Sequence, residues 1–140
     1  MVFPAPVPEI PVANVDEAVG YYVGCLGFTS DWGGSAGGIA GISRGDCRLF
    51  LTSKAFREGY GNQSPALFWL NLGSREEVDE LFAEWSQRGA LIPSPPEDKP
   101  WLLREFTVSD HDGNLIRVFF DFHAAVNITG DAKQSKTPAP

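Results

Sequence analysis

Three tryptophans stand where an indole ring could stack on a flat ligand. Trp32 ends a strand-like run after Asp31 and before glycines, Trp69 lies inside another such run, and Trp101 follows a proline four residues before Glu105. A stacked aromatic pair contributes about 0.5–1.5 kcal/mol beyond the area that it buries. Each tryptophan alone is explained equally well by a place in the core. Three together, two of them near a carboxylate, predict a surface that binds a flat, cationic molecule.

Residues that could bind a metal or attack a substrate are few and poorly spaced. His111 and His123 have no spacing that would bring them together with carboxylates as metal ligands. In the last strand-like run the ionisable residues are Arg117 and Asp121, and a permanently charged guanidinium cannot bind a metal ion. The glycine-rich segment 33–38 lacks the lysine and helix of a phosphate loop. We therefore expect no catalytic residue, no metal and no cofactor.

The charge of the chain restricts its partners. The formal net charge is −7 and the isoelectric point is about 4.7. Such a balance argues against nucleic acid, which requires clustered basic residues, and favours a cationic small molecule, although solubility alone also explains it. There is no apolar run near the roughly 20 residues of a membrane helix. The proline-rich start has no basic residue of the kind that begins a secretory signal, so we expect a cytoplasmic protein without a membrane partner.

The helices and strands that must position the candidate residues are predicted in the same order in each half of the chain. Asn14 with Glu17, and Ser74 with Glu77, are capping pairs that each begin a helix, and a glycine follows each helical pattern. Strand-like runs are predicted for Val7–Ala13, Phe28–Trp32, Gly38–Ser43, Cys47–Thr52, Ala66–Leu72, Ala90–Ile92, Leu103–Ser109 and Leu115–Phe122.

This order predicts an α+β fold in which two βαβββ modules form a curved mixed sheet around a cleft. The modules are expected at about 7–53 and 66–122, within a single domain spanning 1–128. Residues 54–64 are predicted to be a surface loop, and the polar tail 129–140 is predicted to be disordered. The proline-rich start, Pro4 to Pro11, can form an extended arm but not a central strand.

A series of short segments carries a family resemblance. The segments are Val7-Pro8, Asn14-Val15, Leu26-Gly27-Phe28, Asp31-Trp32, Leu49 to Thr52, Trp69, Asp79-Glu80-Leu81, Pro100-Trp101, Arg104-Glu105-Phe106, and Asp110 with Gly113 and Asn114. In this order they resemble the bleomycin resistance proteins, drug-binding members of the vicinal oxygen chelate superfamily. None of the segments is specific by itself, and the resemblance rests on the ordered series.

The resemblance implies a homodimer whose subunits exchange N-terminal arms and bind the drug in grooves at their interface. In that family the planar part of the drug stacks on aromatic side chains, its cationic tail meets acidic groups, and resistance is sequestration without chemistry. The candidate ligand-binding residues are then Asp31, Trp32, Ile39, Phe50, Thr52, Trp69, Trp101, Arg104 and Glu105.

Some positions depart from the family pattern. Ile39 stands where an aromatic residue is usual, the hairpin before it is rich in glycine and poor in acids, and Leu103 replaces a usual glycine. These differences predict a bulkier, less acidic groove that need not accept bleomycin itself. The related metal enzymes carry His or Gln on the first strand and Glu on the last, where this chain has Val7 and Arg117.

Three functions are compatible with the sequence. The first is a cytoplasmic, dimeric protein that sequesters a flat, cationic, antibiotic-like molecule. The second is a metal-dependent enzyme resembling a glyoxalase or a dioxygenase, with a remodelled site. The third is a binder of an unrelated hydrophobic metabolite. The replacement of a metal-binding glutamate by Arg117 favours a binding protein over an enzyme.

Overall fold

The computed structural model describes residues 1–60 and 64–128. The tail predicted to be disordered, 129–140, lies outside the described residues. Along the chain the elements are β1 (Glu9–Pro11), α1 (Val15–Gly24), β2 (Thr29–Gly34), β3 (Ile39–Arg44), β4 (Cys47–Thr52), a 3₁₀ turn (Glu58–Tyr60), β5 (Leu67–Asn71), α2 (Arg75–Gln87), β6 (Leu91–Asp98), β7 (Leu103–Ser109), β8 (Leu115–Asp121) and α3 (His123–Ile128). No helix among the described residues is long and apolar enough to cross a membrane.

The strands form two four-stranded mixed sheets. Their orders are β1-β4-β3-β2 and β5-β8-β7-β6. In each sheet one pair is parallel, β1 with β4 and β5 with β8, and the other pairs are antiparallel. Each sheet thus contains one complete βαβββ module, which confirms the predicted α+β class and the predicted internal repeat.

The two long helices begin at the predicted caps. The Asn14 side chain accepts a hydrogen bond from the Glu17 amide at 3.0 Å, and the Ser74 hydroxyl accepts one from the Glu77 amide at 3.0 Å. These bonds satisfy amides that have no partner inside the first turn of a helix. Gly89 follows α2 with a φ of 84°, a left-handed conformation that glycine adopts without steric cost.

The helices and sheets share one hydrophobic core. Each helix packs on one face of the sheet of its own module, and the strand residues that face it, such as Leu49, Leu51 and Val108, are fully buried. Trp85 on α2 is also buried, and its indole nitrogen donates to the carbonyl of Leu26 in the other module at 3.0 Å. The modules are therefore held together by apolar packing and by a hydrogen bond between them.

The tight turn from Asp110 to Asn114 also connects the modules. The buried Asp110 carboxylate accepts from the Tyr22 hydroxyl at 2.9 Å, and burial raises the pKa of that phenol far above its usual range. The Asn114 side chain donates to the carbonyl of Pro11 at 2.9 Å and accepts from the amide of Ala66 at 2.7 Å. One turn thus fixes the ends of β1 and β5 relative to β8.

Two elements differ from the sequence prediction. The strand predicted at Ala90–Ile92 is β6 and continues to Asp98 through three prolines. Proline has no backbone N–H group to donate to a neighbouring strand. These prolines are tolerated because β6 is at the edge of its sheet and its register with β7 shifts twice. The short helix α3 is not predicted from the sequence, because six residues are too few to show a helical period.

Candidate ligand-binding faces

Each sheet has one face turned away from the helix of its module. Side chains alternate along a strand, so residues between the buried positions point to this other side. On the first sheet this surface, face A, is formed by Trp32, Gly41, Arg48 and Phe50. On the second sheet the corresponding surface, face B, is formed by Trp69, Glu105, Arg117 and Phe119.

Face A centres on a pair of aromatic rings, of which Trp32 is exposed and Phe50 is half-buried. The Trp32 side chain is 45% exposed, and its ring centre lies 5.3 Å from that of Phe50 in an edge-to-face arrangement. A Cβ atom added to Gly41 would come within 2.4 Å of the Trp32 indole nitrogen, so the indole rests directly on this glycine. The Arg48 guanidinium lies 5.7 Å from the Phe50 ring centre. Face A therefore presents an aromatic surface with a cation beside it.

Face B repeats this arrangement with different residues. Trp69 is 43% exposed and meets Phe119 edge to face, with ring centres 5.5 Å apart. Its partner in the register of β5 and β8 is Arg117, whose guanidinium carbon lies 5.1 Å from the Trp69 ring centre. A guanidinium at this distance from an indole is attracted by the electrons of the ring. Both faces thus combine an exposed tryptophan, a phenylalanine and an arginine.

The third predicted tryptophan is joined to face B through a buried carboxylate. Trp101 lies in the loop between β6 and β7, and its indole nitrogen donates to Glu105 at 3.0 Å. The other oxygen of Glu105 lies 3.7 Å from the Arg117 guanidinium, and the Glu105 side chain is only 5% exposed. Leu102, next to Trp101, has a φ of 68°, which is rare for a residue with a side chain. The loop therefore holds Trp101 in a defined position at the edge of face B.

Several predicted residues are placed elsewhere or are covered. Arg104 lies on the helix side of β7, where it pairs with Asp79 of α2 at 2.9 Å and with Asp98 at 3.1 Å, so we do not retain it in the candidate site. Thr52 is on the same side as Phe50 but fully buried, because its hydroxyl donates to Glu9 at 3.1 Å and the Arg57 guanidinium covers it.

The remaining predicted residues lie around Trp32. Asp31 is exposed at a bulge in β2. Ile39 begins β3, is partly exposed, and pairs with Thr52 in the register. The structure thus brings Asp31, Trp32, Ile39 and Phe50 to one sheet, and Trp69, Trp101 and Glu105 to the other.

Three further residues lie on faces A and B but are not among the ligand-binding residues predicted from the sequence: Arg48, Arg117 and Phe119. Phe119 and Arg117 alternate along β8 with the buried Ile116 and Val118. Because side chains alternate along a strand, the buried positions on β8 predict that Arg117 and Phe119 point to the opposite, exposed face. From the sequence, Arg117 is identified only as a residue that cannot bind a metal ion. Its position beside Trp69 depends on pairing between strands that are distant in sequence.

Two cavities are described for the single chain, and neither of them is lined by Trp32, Trp69 or Trp101. One, of about 490 Å³, lies between α2 and the β3–β4 turn, with Phe28, Cys47, Leu81 and Glu84 in its wall, and burial there raises the pKa of the Cys47 thiol. The other, of about 500 Å³, lies beside the Asp110 turn and includes Tyr21 and His111. Faces A and B are therefore open surfaces of the single chain.

The residues at the expected metal positions do not fit a metal ion. Val7 precedes β1 and has no donor atom, and Arg117 places a cation within 3.7 Å of the Glu105 carboxylate. Across residues 1–60 and 64–128 there is no group of three or more His, Cys, Asp or Glu side chains arranged to hold an ion.

Comparison with known proteins agrees with the fold. Residues 6–118 match the model of the Glyoxalase/Bleomycin resistance protein/Dioxygenase superfamily, and the chain belongs to this superfamily. It is 31% identical over 126 residues to a bleomycin resistance protein of Geobacillus stearothermophilus, covering 81% of this chain and 93% of that protein. A bleomycin resistance protein of Staphylococcus aureus matches with the same values.

Solved structures show the same fold. The bleomycin-binding protein of bleomycin-producing Streptomyces verticillus, solved in complex with copper(II)-bleomycin, is 27% identical, with a TM-score of 0.65 over 84% of this chain and 96% of that one. A member of the superfamily from Alicyclobacillus acidocaldarius is 20% identical, with a TM-score of 0.68 over 87% and 96% of the two chains.

Proposed function

We propose that this protein sequesters a flat, cationic, bleomycin-like molecule between face A of one copy and face B of another, without chemical change to the ligand. The observation that carries the proposal is the exposure of Trp32 and Trp69, at 45% and 43%, on sheet faces that already hold a second aromatic ring. Large aromatic side chains on an open sheet face are typical of a surface that is covered when the protein binds a partner or ligand.

Stacking supplies the affinity in this proposal. An edge-to-face partner fixes each tryptophan, so little side-chain freedom is lost when a ligand binds. Phe50 holds Trp32, and Phe119 holds Trp69. The relatives named as bleomycin resistance proteins, together with the bleomycin-binding protein of Streptomyces verticillus, support a ligand of this kind.

The net charge of −7 supports the cationic character of the ligand, because a negative protein concentrates cations around it. Asp31 contributes an exposed carboxylate next to Trp32. The proposal contains no catalytic step, because neither the residues of faces A and B nor the Val7 and Arg117 positions provide a nucleophile or a metal-binding set.

The experiment is a titration of the protein with bleomycin, followed by tryptophan fluorescence and by calorimetry. We expect saturable binding, with no change in the mass of the recovered ligand. Trp69→Ala should weaken binding about five- to tenfold, because it removes one stacking face. Val23→Ala is the control, since Val23 is an exposed apolar residue on α1, which packs on the opposite side of its sheet.

The salt dependence of the binding affinity separates the contribution of electrostatic attraction from that of stacking. Raising the ionic strength from 0.1 M to 1 M shortens the screening length from about 10 Å to about 3 Å, so the electrostatic attraction should weaken while stacking remains. Binding that is unchanged in Trp69→Ala, or a ligand recovered in chemically modified form, would contradict the proposal.

A further inference from the structure

The Arg117 guanidinium on face B has unused hydrogen-bonding capacity. Its Nε atom is buried and has no hydrogen-bond partner among the described residues. Its Nη1 atom lies 3.7 Å from Glu105, which is an ion pair but too long for a hydrogen bond. A guanidinium carries five N–H donors, and a buried donor without a partner costs free energy. The Nε atom is closed to a ligand, but the outer N–H groups of Arg117 make no hydrogen bond among the described residues and can still bind an acceptor.

The surroundings of Arg117 hold it in position. Its guanidinium lies against Trp69, and Glu105 is fixed by the hydrogen bond from Trp101 at 3.0 Å. Because Glu105 is buried and Arg117 is 36% exposed, the outer part of the guanidinium faces the space in front of face B. An acceptor that reaches it would lie next to the exposed ring of Trp69.

The charges on face B indicate the kind of acceptor. Glu105 already balances the charge of Arg117, and a second carboxylate would be repelled both by Glu105 and by a protein with a net charge of −7. An uncharged carbonyl oxygen meets neither repulsion and still accepts charge-assisted hydrogen bonds, which are stronger than neutral ones.

We infer that Arg117 recognises a carbonyl oxygen on the aromatic ring system of the ligand, so that the preferred ligands of this protein are planar aromatic carboxamides. This inference rests on the proposed function, because it assumes that a flat ring stacks on Trp69. Arg117 then sets specificity, while Trp69 and Phe119 supply the stacking surface.

The test uses three probes that share one flat ring system: acridine, acridine-2-carboxamide and acridine-2-carboxylate. Their affinities for the unmodified protein are measured by calorimetry and tryptophan quenching. We expect the carboxamide to bind about tenfold or more tightly than acridine, the range expected for a hydrogen bond to a charged group, and the carboxylate to bind more weakly than the carboxamide.

Variants of Arg117 test whether this residue causes the preference for the carboxamide over acridine. In Arg117→Met the carboxamide and acridine should bind equally. Since this change leaves Glu105 buried without its cation, the double variant Glu105→Gln, Arg117→Met serves as a second test in which both charges are removed. Arg88→Gln is the matched control, because it removes one positive charge from the exposed end of α2 and should preserve the preference.

The outcomes distinguish a failure of the proposed role of Arg117 from a failure of the proposed binding function. If acridine binds and Trp69→Ala weakens it, but the unmodified protein shows no preference for the carboxamide, the role of Arg117 is wrong and the stacking function stands. A preference for the carboxylate, or a carboxamide preference that survives in both Arg117 variants, also overturns the inference. If neither the acridines nor bleomycin binds, the proposed function fails as well.

Discussion

At the scale of single residues, Gly41 has a function that composition alone does not reveal. It lies directly beneath the Trp32 indole, and a methyl group at this position would come within 2.4 Å of the ring nitrogen. A Cβ atom essentially never makes a non-bonded contact at that distance, so the indole, which is rigid, would have to move. The glycine therefore allows the Trp32 indole to lie against β3 and to meet Phe50.

We predict that Gly41→Ala displaces Trp32 and weakens bleomycin binding about three- to tenfold, the value of one lost stacking contact. Tryptophan fluorescence of the free protein should change as well, because the environment of Trp32 changes. Gly37→Ala is the control in the same hairpin, since an added methyl group there meets nothing within 4 Å. Unchanged affinity in Gly41→Ala would show that Trp32 does not contact the ligand.

At the scale of elements, the sequence predicted most of the fold but only part of the candidate site. Caps and periodicity determine helices locally, which is why Asn14 and Ser74 were identified correctly. Arg104 is placed differently. The family resemblance implies a ligand contact for it, whereas in the structure it lies on the helix side of β7 and pairs with Asp79 of α2. Whether a polar residue faces a ligand or a helix depends on tertiary packing, which a single sequence pattern does not contain.

The Asp110 turn is the element that joins the modules, and Asn114 is its central residue. Its side chain is fully buried and bonds to Pro11, Ala66 and Asp110. We predict that Asn114→Ala lowers the free energy of unfolding by about 2–5 kcal/mol, because it leaves buried polar groups without partners.

Urea denaturation followed by circular dichroism measures this effect. Asn71→Ala is the control, because Asn71 is an exposed residue at the end of β5 and should change stability by no more than about 0.5 kcal/mol. Equal stability of the two variants would mean that the turn does not hold the modules together.

At the scale of the whole molecule, several large apolar side chains are exposed on an edge strand and at the N-terminus. Leu67 and Trp69 on β5 are 52% and 43% exposed, and the first three residues, Met1 to Phe3, are almost fully exposed. Both β1 and β5 are edge strands, whose unpaired backbone groups favour contact with another chain. A single chain leaves these surfaces in water at a cost in free energy, and association would remove that cost.

We therefore predict that the protein is a homodimer, of about twice the 15.2 kDa chain mass, in sedimentation experiments at micromolar concentration. Leu67→Glu should shift the equilibrium towards monomer, because it places a charge on the covered face without disturbing the core of the single chain. Val23→Glu introduces the same charge on the outer side of α1, at a residue that is 37% exposed, and should leave the dimer intact.

Removal of residues 1–6 should weaken the dimer, while β1 keeps its pairing with β4. A monomer in the unmodified protein would mean that faces A and B cannot form a shared groove, and a dimer that resists Leu67→Glu would place the interface on another surface.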